Sequence, residues 1–309
     1  MLTRVQGHNR ALVDGRVVPR GFAVDTVELP SLIPGFRRMV REAAYDIAEL
    51  PITTYLTAKA HGVPITALPI FPVRGFHHGA ISVNRRAGIS NAQDLAGRRI
   101  GVNRGYTVTS GVWARAILQR AGLDLSSVTW LLSGDEHVTA YRPPANVVPI
   151  APERDIAEML ARGELAAAIG VVVEHPDVVP LFPAAEEAGI ARLHDEGDYP
   201  INHVMVVRDD LLAASPGLAP ALFEAFACAK RLYLAELRSG AIAAPDAADQ
   251  LNLRVMEVLG DPLPFGVEAN RTMLERLVGH TVAQGIIAAP MSLGTLFAAD
   301  TLTLGDESG

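Results

Sequence analysis

The chain has 309 residues, enough for two domains of ordinary size and too many for one small core. Hydrophobic residues make up 49% and charged residues 20%, which excludes a disordered or fibrous chain. With 34 acidic against 27 basic side chains the net charge is -7 and no Lys/Arg stripe offsets it, so nucleic acid is not an expected partner.

Met1 to Gly7 lacks the apolar run of a secretory leader, so a cytoplasmic protein is expected. The longest apolar run, Leu165 to Val173, is far short of the roughly 20 residues of a membrane span. Cys228, the single cysteine, sits in an apolar helical stretch and reads as a small core residue.

In chain order, strands are expected at Leu2 to Val5 and at Phe22 to Leu29, the latter from its apolar/polar alternation. An amphipathic segment Phe36 to Ala44 precedes a strand Tyr45 to Leu50. Pro51 stands where a helix start needs no donor, and Ile52 to Ala60 reads as that helix, stopped at Gly62. Strands at Ile65 to Phe71 and Gly79 to Val83 flank the loop Pro72 to His78, dense in titratable groups.

A short turn, Gly97 and a strand from Ile100 mark the expected first crossing between lobes. The helix Gly111 to Arg120 follows, its apolar face marked by Val112, Ala116, Ile117 and Ala121. Strands at Val128 to Leu132, Val147 to Ile150 and Leu165 to Gly170, with the helix Arg154 to Arg162, complete an alternating βαβ unit. Val204 to Val207 reads as the strand of the return crossing. Helices Ala219 to Leu237, Ala247 to Leu259 and Val267 to Gln284 follow, then an acidic tail after Leu304 without expected structure. The reading is therefore α/β in two lobes. Residues 1–100 with 205–309 form the first and 101–204 the second, each a mostly parallel sheet flanked by helices with a ligand cleft between them.

Asp94-Leu95-Ala96-Gly97-Arg98-Arg99-Ile100-Gly101-Val102 resembles the lobe-crossing segment of type 2 periplasmic-binding-protein-like chains, which include transport receptors and enzymes. Four further stretches resemble, in the same order, those of 4,5-dihydroxyphthalate decarboxylases. They are Leu68 to Arg74 with His78-Gly79, Tyr106 to Thr109, Tyr199 to His203, and Pro264 to Arg271. The likeness runs from the Asn9-Arg10 turn to Ile287. Asn202 and the extra histidine in Phe76-His77-His78 depart from the family pattern.

The resemblance implies decarboxylation of a hydroxylated aromatic acid, a carboxy-lyase step. A proton is delivered to the ring carbon bearing the carboxylate, with no organic cofactor required. His203, at the return crossing, is a candidate proton donor; a hinge histidine bonded to backbone is the structural alternative. His77 and His78 are neighbours that an extended loop would point apart, and His78 is favoured for the ligand. Arg74 and Arg10 are candidate carboxylate clamps, although a surface salt bridge is the commoner fate of an arginine. Tyr106, Thr107 and Thr109 precede a helix and could hold an oxyanion, or Thr109 or Ser110 could simply cap it. Glu49 and Thr53 flank Pro51, where Glu49 could accept a phenol proton or bind a metal.

A divalent metal on Glu49, His78 and His203 is chemically feasible, but their spacing has none of the tightness of a metal motif. Asn270 and Arg271 open a helix, could simply cap it and brace the lobes, and are left out of catalysis. Glu49, Arg74, His78, Thr107 and His203 are expected to converge on one pocket between the lobes. The alternative is a solute-binding protein delivering an aromatic carboxylate to an ABC-type transporter; a biosynthetic lyase or synthase on the same fold is a weaker third. The expected partner is a small aromatic carboxylate, and the apolar C-terminal helices are compatible with a homodimer.

Overall fold

The computed structural model describes residues 1–306. Met1 to Arg74 opens the first of two compact units, which also takes 201–275 and 291–309; the second holds 75–200 and 276–290. The opening segment contains α1 (Arg10–Val13), α2 (Leu32–Glu42), β1 (Ile47–Pro51), α3 (Ile52–Ala60) and β2 (Ile65–Leu68). Ser31 caps α2 by accepting from the Ile33 amide, and Pro34 falls in the first turn, where its missing N–H costs nothing. Ala43 ends the helix in the left-handed region at φ 48°, its N–H bonded to the Arg38 and Met39 carbonyls. Strand β1 runs straight into α3, whose residues Ile52 to Ala58 are all buried. An all-round buried helix has no polar face, so Thr57 returns its hydroxyl to the Thr53 carbonyl (2.7 Å).

The second unit carries β3 (Ile81–Asn84), β4 (Arg99–Val102), α4 (Thr109–Arg120), β5 (Thr129–Leu132), β6 (Val147–Pro149), α5 (Ile156–Ala161), β7 (Ala167–Ile169), β8 (Val178–Pro180) and α6 (Ala185–Glu196). Its sheet has the order β6-β5-β4-β7-β3-β8. The pairs β4–β5, β5–β6 and β4–β7 are parallel, while β3 runs antiparallel to both its neighbours. Gly101 lets α5 approach β4: a Cβ there would lie 2.6 Å from Ile156 Cγ2 and 2.9 Å from Leu165 Cδ1. Ile156, Met159, Leu160, Leu165 and Ala168 form the core at that contact.

The chain then returns through β9 (His203–Arg208) to α7 (Asp209–Ala214), α8 (Leu218–Arg238), α9 (Ala247–Leu259), α10 (Arg271–Ala283) and α11 (Leu293–Leu296). Strand β9 enters between β1 and β2 and is antiparallel to both, in the register Pro51↔His203 and Glu49↔Met205. Leu68, Ile70, Met205 and Val207 pack on Leu222, Phe223 and Phe226 of α8 to make the first unit's core. Lys230, fully buried in α8, is ion-paired to Asp261 and Asp306 and donates to the Leu263 carbonyl (2.9 Å). None of the described helices is long and apolar enough to cross a membrane.

Four expectations are corrected. The strands expected over 2–5 and 22–29 reduce to single bridges of Leu2 with Val27 and Ala48, because only one residue of each segment comes alongside a partner. The first crossing lies at Arg74/Gly75 rather than near 100, since β3 and β4 share one sheet through β7; the return lies at Pro200/Ile201, and 276–290, expected in the first lobe, belongs to the second unit through two further crossings. The first unit's named sheet is antiparallel, because its central strand is the returning one. The start of the tail is held in place, with Gly305 bridging to Gly266 and Asp306 ion-paired to Lys230. Its remainder, 307–309, lies outside the described residues.

Candidate active site

Within the first unit the β1/β9 register decides what meets. His203 stands opposite Pro51, so Glu49, two residues back on the same face of β1, is its diagonal neighbour. His203 Nδ1 lies 2.5 Å from Glu49 Oε1. The other Glu49 oxygen accepts from Thr3 Oγ1 (2.8 Å) and the Arg4 amide (3.1 Å). Those donors are placed because Leu2 bonds on both sides to β1, to the Ile47 carbonyl and from the Glu49 amide. Asn9 donates to Thr3 Oγ1 (3.2 Å) and fixes the arrangement from behind.

Burial of Glu49, which is 1% exposed, would raise its carboxyl. The hydrogen bond and charge of His203, then Thr3 and the Arg4 amide, outweigh that and hold it below the usual carboxylate range. An ionised Glu49 accepts from Nδ1–H of His203, which leaves Nε2 as the nitrogen that can carry an exchanged proton. The imidazole, one-fifth exposed, stands edge-on to Phe36 at 5.5 Å between ring centroids. His8, 3% exposed, belongs to the same neighbourhood: burial lowers it to about 4, against the opposing pull of Glu49 and of the Pro72 carbonyl.

Arg74, 9% exposed, is also in this unit. Its guanidinium donates to Asn270 Oδ1 and to the Pro264 carbonyl (3.3 Å) and lies over the Phe71 ring. Asn270 in turn donates to the Pro264 and Gly266 carbonyls (2.9 and 2.7 Å). It is therefore the bracket of Arg74. Thr53 is fully buried in the first turn of α3, two residues past Pro51.

The second unit holds the other candidates. The turn before α4 aims the Tyr106 and Thr107 amides and Thr107 Oγ1 at one carboxylate, that of Glu136 (2.5, 3.1 and 2.6 Å). Behind the turn Arg115, with no exposure, donates to Gln284 Oε1 (2.8 Å) and the Tyr106 carbonyl (2.7 Å) and lies 3.7 Å over the Tyr106 ring. Burial lowers Arg115, with Tyr106, Tyr141 and Glu136 pulling the other way.

Several assignments change. Arg10 is exposed at the start of α1, in a surface depression with Arg16 and Asp246, and makes no contact with the Glu49 pair. The residue of that turn which does serve the pair is Asn9. The Tyr106 ring is buried under Arg115, so its amide rather than its hydroxyl serves the turn. Val108 caps α4, which makes buried Thr109 the first helical residue and not a cap. His77 and His78 are both buried and both line one pocket of the second unit; His77, at φ -118° and ψ 5°, leads into a 3-10 turn, so neighbours do not alternate as in a strand. Among the described residues no group of three or more His, Cys, Asp or Glu is placed to hold a metal ion.

Sequence reasoning passed over Thr3, His8, Arg115, Glu136 and the role of Asn270. Arg115 carried a signal, a charge one helical turn after Val112 on the helix's apolar side, and so did Asn270 through the Pro264 to Arg271 stretch. Glu136 carried none, since an acid in Ser-Gly-Asp-Glu reads as solvated loop.

Two α/β units, one built around a mixed six-stranded sheet, between which the chain passes at 74/75, 200/201, 275/276 and 290/291, define a periplasmic-binding-protein-like fold. Among solved structures it is similar to the aliphatic sulphonate binding protein SsuA of Escherichia coli, with TM-score 0.54 and 12% identity over 94% of this chain and 86% of that one. It is also similar to the desulfurization enzyme DSZB, with TM-score 0.52 and 17% identity over 96% and 93%. Residues 36–232 match the NMT1/THI5 like family model. A 4,5-dihydroxyphthalate decarboxylase of Comamonas testosteroni is 32% identical over 93% of this chain and 92% of its own length. A 4,5-dihydroxyphthalate decarboxylase of Pseudomonas putida is 42% identical over 52% of this chain and 65% of its own. The chain belongs to the NMT1/THI5-like family and, within it, groups with the 4,5-dihydroxyphthalate decarboxylases.

Proposed function

We propose that this protein is a carboxy-lyase that removes one carboxylate from 4,5-dihydroxyphthalate or a similarly hydroxylated aromatic acid. The kinship with proteins of that name supports the substrate class. The single structural observation carrying the chemistry is the buried Glu49–His203 pair, a proton carrier oriented by an ionised carboxylate.

His203 Nε2 delivers a proton to the ring carbon bearing the departing carboxylate, and the hydroxyl para to it stabilises the resulting cation. The bond to the carboxylate then breaks, its electron pair restores the ring, and carbon dioxide leaves. The product, 3,4-dihydroxybenzoate, keeps the second carboxylate, for which Arg74 is the proposed clamp. Solvent returns the proton to His203.

The step calls for no organic cofactor, and assays with a chelator and with added divalent metal decide whether a metal assists. His203→Gln is expected to lower kcat by roughly 10²–10⁴-fold, and Glu49→Gln by about 10²-fold, with KM little changed. Wild-type kcat in His203→Gln would sink the assignment. The likeness to sulphonate-binding proteins carries the fold alone, and turnover separates the enzyme from a solute receptor.

A further inference from the structure

The second unit contains a pocket of about 560 Å³ with largely apolar walls, whose lining residues all belong to that unit and include none of the Glu49–His203 pair. That volume falls in the range of small-molecule sites. Trp113 and His78, 6% and 8% exposed, line it together with Phe182, which stands edge-on to the His78 ring at 5.5 Å. Nδ1 of His78 is buried there with no hydrogen-bond partner. A buried polar atom left without a partner is costly unless a ligand or water meets it.

The more exposed part of the lining is cationic. Arg120 pairs with Glu196, Arg192 with Glu196 (3.3 Å) and Asp198, and Arg276 with Asp198. Three guanidinium groups thus share two carboxylates, leaving one positive charge among them. Within a largely apolar cleft that His77 and His280 also line, aromatic rings, an unpartnered nitrogen on a buried histidine and one net cation toward solvent describe an aromatic ring with a hydroxyl and a single carboxylate.

We infer that this pocket is a separate binding site for a hydroxylated aromatic monocarboxylate, its ring against Trp113 and Phe182, a hydroxyl on His78 Nδ1 and its carboxylate toward the arginines. Burial lowers His78, so the ring offers that hydroxyl a neutral imidazole. The inference rests on the proposed reaction only in one respect: removal of one carboxylate from 4,5-dihydroxyphthalate yields a compound of this class.

The test uses the full chain and 3,4-dihydroxybenzoate as probe, with binding read by quenching of Trp113 fluorescence. Trp113→Phe identifies the Trp113 signal against that of Trp130. Quenching is expected in wild type and equally in His203→Gln. Ala116→Phe and Ile117→Phe, which fill the pocket from α4, should each weaken it at least tenfold while carbon dioxide release keeps its wild-type kcat/KM. Benzoate should bind about tenfold more weakly than the probe, and His78→Phe should erase that difference. Unchanged quenching in both filled variants, or its loss in His203→Gln, overturns the proposal. Where a filled variant fails to fold by circular dichroism, probe soaked into wild-type crystals decides: ring density between Trp113 and Phe182 supports the site, and none at saturation overturns it. Quenching without decarboxylation in wild type would remove the proposed reaction and leave the pocket standing.

Discussion

His8 and Glu49 bind protons less readily in the folded chain than as free side chains, and this sets an acid limit on stability. Folded His8 titrates at about 4 against an ordinary 6.5, so between those values the unfolded chain binds more protons. Stability is then complete above about 6.5 and falls as the pH drops toward 4, by roughly 3 kcal/mol from this residue. Glu49, held below its ordinary range, acts in the same direction further down, losing its contribution as the pH falls through that lowered value. Urea unfolding of wild type across this window should show the loss, and His8→Gln should flatten its upper part; a variant with the wild-type slope would contradict it. Asn270 gives a second test. Removing the acceptor of a charged, buried donor costs about 1.5–3 kcal/mol, so Asn270→Ala should raise KM for the dicarboxylate by roughly ten- to a hundredfold with a smaller effect on kcat. An unchanged KM would remove Arg74 as the clamp. Glu49 and His203 could be singled out from the sequence, an acid on a buried strand being costly without a partner and an imidazole standing at the expected return crossing, and the fold brings the two together. The partners Thr3, Asn9 and Asn270 could not be, because they acquire meaning only through a strand register and a turn set by distant chain.

Helices were read well where punctuation is chemical. Pro51 and Gly62 bracket α3, and Asp246 caps α9 through the Ala248 and Asp249 amides, ahead of Gly260. Alternation misled at 22–29, where no continuous partner strand lies alongside, and pairing rather than pattern makes a strand. The antiparallel sheet was equally hidden, since direction follows from the chain returning through the second unit. At the β4/α5 contact the element depends on one missing side chain. Gly101→Val would push a side chain into Ile156 and Leu165 and cost about 1–3 kcal/mol, read as a lowered thermal midpoint. An unaltered midpoint would mean that α5 gives way freely.

At the scale of the whole chain, sequence reasoning expected two α/β units with two crossings, whereas the chain crosses four times, first about 25 residues earlier than expected and again around 276–290. The turn at Gly97 looks like a boundary because it opens a strand, whereas the partners of that strand, not its start, decide which unit owns it. Function was legible through the ordered motif stretches, which the kinship with named decarboxylases supports. The pairing that gives those motifs chemistry, a carboxylate-oriented histidine, needed the fold.

Turnover of 4,5-dihydroxyphthalate by wild-type protein in D₂O tests the central claim most directly. One carbon dioxide per molecule consumed, and a 3,4-dihydroxybenzoate bearing a single deuterium at the vacated ring carbon, is the predicted result. Tight binding with neither carbon dioxide nor deuterated product would contradict it.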